Sequence, residues 1–406
     1  MHLHFKPLGL AAAIALAFSP AIHADDDDSS ATPPSSVSTS AGQVNVETLA
    51  TLEYPWAMAY LPDGRLLVTE KPGRMRIWSE GSLSDPLQGV PEVVYRGTEQ
   101  EQGGLLDVEV DPDFASNNLI YLTYAEAAQG QSEALEDSGD ARLLSPDKSD
   151  NIVRGGVVAR ARLDGNTLHD LEIIWRQDPM TVGRGHFGNR LNFDADGMLF
   201  VTSGDRMRFE PAQSKESNLG KVVRINKDGS IPDDNPFADE DDAKGEIWSY
   251  GHRNILAAAF DRDTGNFWAF EMGPLGGDEV NLVKRGENYG WPEVSDGSHY
   301  ANQPIPSHAG DDEYEKPVRS WTPVVSPSGA HWYDGELFSG WSGSMLVGGL
   351  TSKGLVRLTF NGEKIAMEER IVLDQRIRDV IQAPDGAILV IVDQEEGGLL
   401  RLTPAQ

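Results

Sequence analysis

An all-β fold, a six-bladed β-propeller with four-stranded antiparallel blades, is the architecture this 406-residue sequence predicts. Three observations carry that expectation. Short runs of β-branched and aromatic residues, such as LLVT at 66–69, IYLTY at 120–124 and ILVIV at 388–392, are bounded by Asp, Gly and Pro. Long amphipathic helical periodicity is missing. A turn rich in Asp and Gly followed by a strand recurs six times, at roughly 50–85-residue spacing.

The clearest copies of that unit are LPDGRLLVTE at 61–70, FDADGMLFVTSGD at 193–205 and APDGAILVIVD at 383–393. Looser copies are VDPDFASNNLIYLTY at 110–124, FDRDTGNFWAFE at 260–271 and WYDGELFSGWSGSMLVGGL at 332–350. Asp-Gly supplies the positive φ angles of a tight hairpin, and the residues after it pair as a strand. Six such units read as six blades; two packed sheets in a sandwich are the alternative. A closed ring needs its ends to meet, and VNVETL at 44–49 could add a strand to the last blade, which ends near Leu402.

Ahead of the propeller, residues 1–24 carry a basic Lys6, an apolar run at 8–18 and a small residue, Ala24, before Asp25. This layout predicts a secretory signal peptide cleaved near Ala24, hence a periplasmic protein; the apolar run is too short to span a bilayer. Residues 25–42, acidic and then rich in Ser, Thr and Pro, read as a flexible linker. Residues 43–406 form the propeller domain, with the polar stretch 125–150 as an exposed loop between strands.

Composition narrows the function classes. With no cysteine, thiolate metal sites, iron–sulfur clusters, disulfide scaffolds and Cys nucleophiles are excluded. A net charge of −30 argues against nucleic acid and anionic membrane surfaces as partners. No later segment is apolar enough for membrane insertion. A monomer is the default expectation.

Propellers bind ligands where loops converge on the central channel, so chemically loaded residues just outside strands are the candidates. His186, flanked by glycines in GRGHFGNRL, could act as a general base or be structural. Asp205 ends the next strand and could orient an imidazole or an arginine, or cap a turn. Arg253 and Asn254 follow IWSYGH, and Met272-Gly273-Pro274 is followed by Gly276-Gly277-Asp278-Glu279. Free main-chain carbonyls and carboxylates suit a hard cation such as calcium; an acidic surface turn is the other reading. Arg376 and Arg378 share one face of a strand by alternation. With Arg253 they could receive a multiply anionic ligand, or pair with surface carboxylates.

Taken in order, several segments make the sequence resemble the soluble PQQ-dependent aldose sugar dehydrogenases of the glucose/sorbosone dehydrogenase family. They are YPWAMAYLPDGRLLVTEKPGRMRIW, EQGGLLDVEVDPDF, GHFGNRLNFDADGMLFVTSGDR, SYGHRN, GPLGGDEVNLVKRGENYGWP and RIRDVIQAPDGAILVIVD. The resemblance covers essentially all of 47–403 and implies a six-bladed propeller with pyrroloquinoline quinone (PQQ) over the channel. It implies oxidation of an aldose at C1 to the lactone, with hydride transfer to C5 of the quinone and an external electron acceptor, unidentified, downstream. His186 would take the anomeric hydroxyl proton, supported by Asp205, while Arg253 stabilises charge on the quinone oxygen. Gln102, Asn254, Arg376 and Arg378 would contact the cofactor. The carbonyls of Gly273 and Pro274 would hold a calcium ion bridging to it, and Glu279 and Tyr289 a further calcium. Two positions depart from the pattern. Thr351, in LVGGLTSKG, stands where a cofactor-binding Lys is expected, leaving Lys353 to reach inward, and Met272 replaces a polar residue before Gly-Pro. A calcium-dependent propeller lactonase and a non-catalytic binding propeller are the rival functions.

Overall fold

The computed structural model describes residues 32–97, 101–129, 152–308 and 313–405. Six sheets follow one another along the chain, each antiparallel. Their innermost strands are Pro55–Tyr60, Leu105–Val110, Gly188–Phe193, Ile255–Phe260, Pro327–Tyr333 and Ile377–Gln382, and they define blades 1 to 6. Each of these strands neighbours the next, and the last neighbours the first, so the ring is closed. The six Asp/Gly turns join the innermost to the second strand of each blade, as expected.

Closure uses both ends of the chain. Gly42–Leu52 pairs with the C-terminal strand Gly397–Pro404, which places residues 44–49 in the last blade as the sequence predicts. The expected linker, 25–42, must be shortened. Ser36–Thr39 is a strand paired with Gly42–Leu52, turning at Gly42 with φ +101°. Val37 packs on the blade 5–6 core, and Ser40 hydrogen-bonds Glu369 through its amide and hydroxyl. Alternation there outweighs a linker-like composition. The expected loop at 125–150 also starts later, because strand Leu119–Ala127 runs through its first residues. The expected signal peptide, the start of the linker and residues 130–151 lie outside the described residues.

Packing explains the buried runs. Each of the six seams between blades holds its own apolar cluster. In strand Leu66–Glu70, Leu66 and Val68 face blade 6, whereas Leu67 faces blade 2. A strand covered on both faces reads as a continuous apolar run rather than an alternation. The threonines that end these runs bridge blades. Thr69, Thr123 and Thr202 each accept an amide hydrogen bond from the bulged innermost strand of their own blade and donate to a carbonyl of the next.

At the centre of the ring lies Arg190. Its guanidinium bonds Asp107 (3.2 Å), Asp379 (3.2 Å), the carbonyls of Leu256 (2.7 Å) and Arg378 (3.2 Å), and that of Ser328, and it stacks 4.1 Å over Trp56. One side chain on blade 3 therefore touches all five other blades. No helix among the described residues is long and apolar enough to cross a membrane.

Candidate functional site

The candidate side chains gather where innermost strands begin and second strands end, opposite the Asp/Gly turns. Gln102, His186, Arg253, Asn254 and Arg376 all lie within three residues before an innermost strand. Asp205, Met272, Thr351 and Asp393 follow second strands. Regular pairing stops there, which frees side chains to face the channel.

His186 is held on several sides. Its φ is +52°, a left-handed conformation rare outside glycine. Its amide donates to Gln102 Oε1 at 2.8 Å. Its Nδ1 lies 2.6 Å from Asp205 Oδ1, and that oxygen also accepts the Met207 amide at 2.8 Å. The other carboxylate oxygen accepts from Trp291 Nε1 at 2.7 Å. Burial and then the Arg253 charge push the imidazole below its ordinary pKa, outweighing the opposing pull of Asp205. For Asp205, burial acts upward, but the His186 ring and Arg253 hold the carboxyl below its usual range. An ionised Asp205 accepting from Nδ1–H makes Nε2 the basic nitrogen, and His186 lines a small cavity with Arg253, Pro274, Trp291, His299 and Tyr300. The sequence left Asp205 open between turn cap and orienting acid; it accepts the Met207 amide, as a turn cap does, and also meets the His186 ring.

Gly204 leaves no slack beneath this pair. A Cβ there would lie 2.1 Å from the His186 carbonyl oxygen and 3.1 Å from Asn254 Oδ1. Gly204→Ala is therefore expected to displace His186 and lower turnover at least tenfold while the protein still folds, as kinetics with circular dichroism would show.

Arg253 faces the same cavity. Its Nη1 donates to the carbonyls of Met272 and Gly273, both at 2.8 Å, and its Nη2 to the Tyr300 hydroxyl at 3.2 Å. Its amide donates to Glu271 Oε1 at 2.6 Å. Asn254 is buried, and its Oδ1 has no partner among the described residues.

Along the same mouth runs a larger cavity of about 240 Å³ that Gln102, Met272, Thr351, Arg376 and Arg378 line. Arg378 donates to Asp393 Oδ2 at 2.8 Å, and Arg376 lies 3.5 Å from the same oxygen. Alternation thus places both arginines on one face, as expected, and their ion pairing is to a carboxylate of the cavity wall. Gln102 and Met272 join the two cavities, because each also bonds a residue of the His186–Arg253 cavity.

The expected cation ligands divide into two groups. Gly273 and Pro274 sit beside Arg253, with the Gly273 carbonyl already accepting from the guanidinium. Glu279 and Tyr289 line a third cavity, as small as the one at His186, with Arg253, Glu271 and Gly273. Glu279 faces His308 at 3.5 Å and Asn281 at 3.1 Å. The Tyr289 phenol donates to the Leu282 carbonyl at 2.5 Å and accepts from the Lys284 amide at 2.8 Å, so its hydroxyl is committed. Among the described residues, no three His, Asp or Glu side chains are grouped to hold a metal.

Four residues that line these cavities escaped the sequence reading: Lys71, Asp393, Trp291 and Tyr300. Lys71 and Asp393 each follow a second strand, Leu66–Glu70 and Ile388–Val392, and that shared offset was the available signal. Trp291 and Tyr300 come from a long excursion within blade 4 with no repeat to place them. Lys353 is not among the residues lining the large cavity; Lys71 is.

Residues 52–401 match the family model described as glucose / sorbosone dehydrogenase. The chain is 39% identical over 370 residues to the aldose sugar dehydrogenase YliI of Escherichia coli K12, covering 89% of this chain and 93% of that protein. A crystal structure of the soluble aldose sugar dehydrogenase from Escherichia coli in the apo-form is similar with a TM-score of 0.80 at 37% identity, covering 89% of this chain and 100% of that one. The PQQ-bound form of an aldose sugar dehydrogenase from Streptomyces coelicolor is similar with a TM-score of 0.68 at 25% identity, covering 92% and 99%.

Proposed function

The chain belongs to the glucose/sorbosone dehydrogenase family, and from that premise we propose that it is a PQQ-dependent dehydrogenase oxidising aldose sugars at C1 to the lactone. The observation that carries the proposal is the hydrogen-bonded His186–Asp205 pair beside Arg253, next to a cavity walled by Arg376 and Arg378.

The residues present fit the cofactor. PQQ is a flat tricarboxylate, and Arg376 and Arg378 offer forked donors on one wall. The unpartnered Oδ1 marks Asn254 as a buried amide with hydrogen-bonding capacity to spare. Gln102, Asn254, Arg376 and Arg378 would hold the group, and when bound it supplies the ortho-quinone that accepts the hydride. Calcium would be held by hard oxygen donors. The Gly273 and Pro274 carbonyls and the Glu279 carboxylate are such donors, and since the Tyr289 phenol is otherwise engaged, its main-chain carbonyl is the atom that would serve.

The chain's own groups do the remaining work. Neutral His186 accepts the C1 hydroxyl proton at Nε2, and Asp205 stabilises the imidazolium that forms. Arg253 places positive charge where negative charge develops. Phe209 and Trp291 wall the cavity and limit water.

Reconstitution with PQQ and calcium, followed by dye reduction with several aldoses, tests the assignment; no reduction with any aldose would refute it. The rate should fall with acid as His186 protonates, with a midpoint below the ordinary imidazole value of about 6.5, because burial favours the neutral ring. A pH–rate profile without an acidic limb would contradict the base role. Cleavage near Ala24 and a periplasmic location belong to the same proposal, and N-terminal sequencing of the exported protein checks them.

A further inference from the structure

Lys71 follows the second strand of blade 1 and lines the large cavity, although the residue is only 8% exposed. It lies 3.6 Å from Asp393 Oδ1 and 4.9 Å from the centre of the Tyr54 ring. Asp393 therefore serves three cations, at 2.8 Å from Arg378, 3.5 Å from Arg376 and 3.6 Å from Lys71. Only the first distance is that of a close charge-assisted bond. The cavity's other carboxylate, Glu101, is committed elsewhere, to Arg154 at 3.0 Å and to the Gly103 amide. The wall thus carries three positive charges against one available negative one, within a chain whose net charge is −30. Lys71 and Arg378 are largely buried and Arg376 is partly exposed; leaving a buried cation unbalanced is costly, and an excess of cations along one wall is complementary to a polyanionic ligand. Thr351, across the cavity, is uncharged and shares a hydrogen bond with Ser326.

We propose that Lys71 is a cofactor-binding residue whose ammonium supplies the third cationic contact to a polycarboxylate ligand, replacing the charge that Thr351 lacks. The inference rests on the PQQ reading above and goes beyond it by naming a residue and a charge requirement. Burial first, with Arg378 and Arg376 adding to it, lowers the Lys71 pKa against the pull of Asp393, and a bound carboxylate would act in the same direction as Asp393.

Direct binding to the apoprotein tests this, independently of turnover. Wild type, Lys71→Met and Lys71→Arg are titrated with PQQ in calcium buffer, following quenching of tryptophan fluorescence, since Trp56 lines the cavity. The same titrations are repeated with PQQ trimethyl ester. Lys71→Met is expected to weaken PQQ binding about tenfold to a hundredfold, the worth of one charged hydrogen bond. Lys71→Arg should bind within a few-fold of wild type, and the ester should bind wild type and Lys71→Met alike. PQQ binding by folded Lys71→Met at wild-type affinity would overturn the role of Lys71 while leaving the cofactor assignment standing. Wild type that binds no PQQ would overturn both. Should Lys71→Met not fold, Lys71→Gln reads the same loss.

Discussion

His186→Ala is expected to lower kcat of the PQQ- and calcium-loaded protein by about 10²–10⁴-fold, the usual worth of a positioned general base. Cofactor affinity should change little, because His186 lines the Arg253 cavity and the arginines of the larger cavity stand apart from it. The acidic limb of the pH–rate profile should vanish with the imidazole. Asp205 keeps its Trp291 and Met207 partners in the variant, so its carboxylate is not orphaned. Asp205→Asn separates two further roles. It preserves shape but can donate to Nδ1, which favours the tautomer with its proton on Nε2, the nitrogen that must accept one. Stopped-flow reduction of the loaded enzyme by sugar isolates this step from reoxidation by dye. If His186→Ala reduces the cofactor at the wild-type rate, another group is the base.

The second large effect concerns stability. Arg190→Met should cost about 3–5 kcal/mol, since removing one partner of a buried ionic group strands the others. Asp107 and Asp379 would both lose their shared counter-charge, and the Leu256 and Ser328 carbonyls of blades 4 and 5 would lose their donor. Burial already pushes Asp379 up to about 7, with Asp107 raised as well. A carboxyl whose folded pKa exceeds its unfolded value contributes most below the unfolded value, about 3.9, and loses that contribution as pH rises through the folded one. The variant's deficit should therefore be larger at pH 8 than at pH 5. Denaturant melts at both values check this, and a deficit independent of pH would show that packing, not charge, is what Arg190 supplies. Adding Asp107→Asn and Asp379→Asn to the variant should recover part of the loss.

Propeller architecture was readable because it is repeated locally. Each Asp/Gly turn and the apolar run beside it are short-range signals, and six copies reinforce one another. Threonines such as Thr69 and Thr202 were visible as strand residues, but their bridging of neighbouring blades was not, because each bond crosses to a segment distant in the chain. The linker illustrates the opposite error. Residues 36–39 look solvated by composition and become a strand because an edge was available to pair with.

Amino-acid order alone determined the repeat, the closure by residues 44–49, the same-face placement of Arg376 and Arg378, and the candidate standing of His186 and Asp205. Those features depend on periodicity, turn chemistry and motif, which operate over a few residues. Tertiary structure decided that Nδ1 of His186 meets Asp205, that Trp291 takes the other oxygen, that Arg190 plugs the ring, and that Lys71 rather than Lys353 enters the cavity. Each of these joins residues from different blades, or from distant parts of one, and only closure of the ring sets which of them share a low-dielectric space where charge and hydrogen bonding become selective.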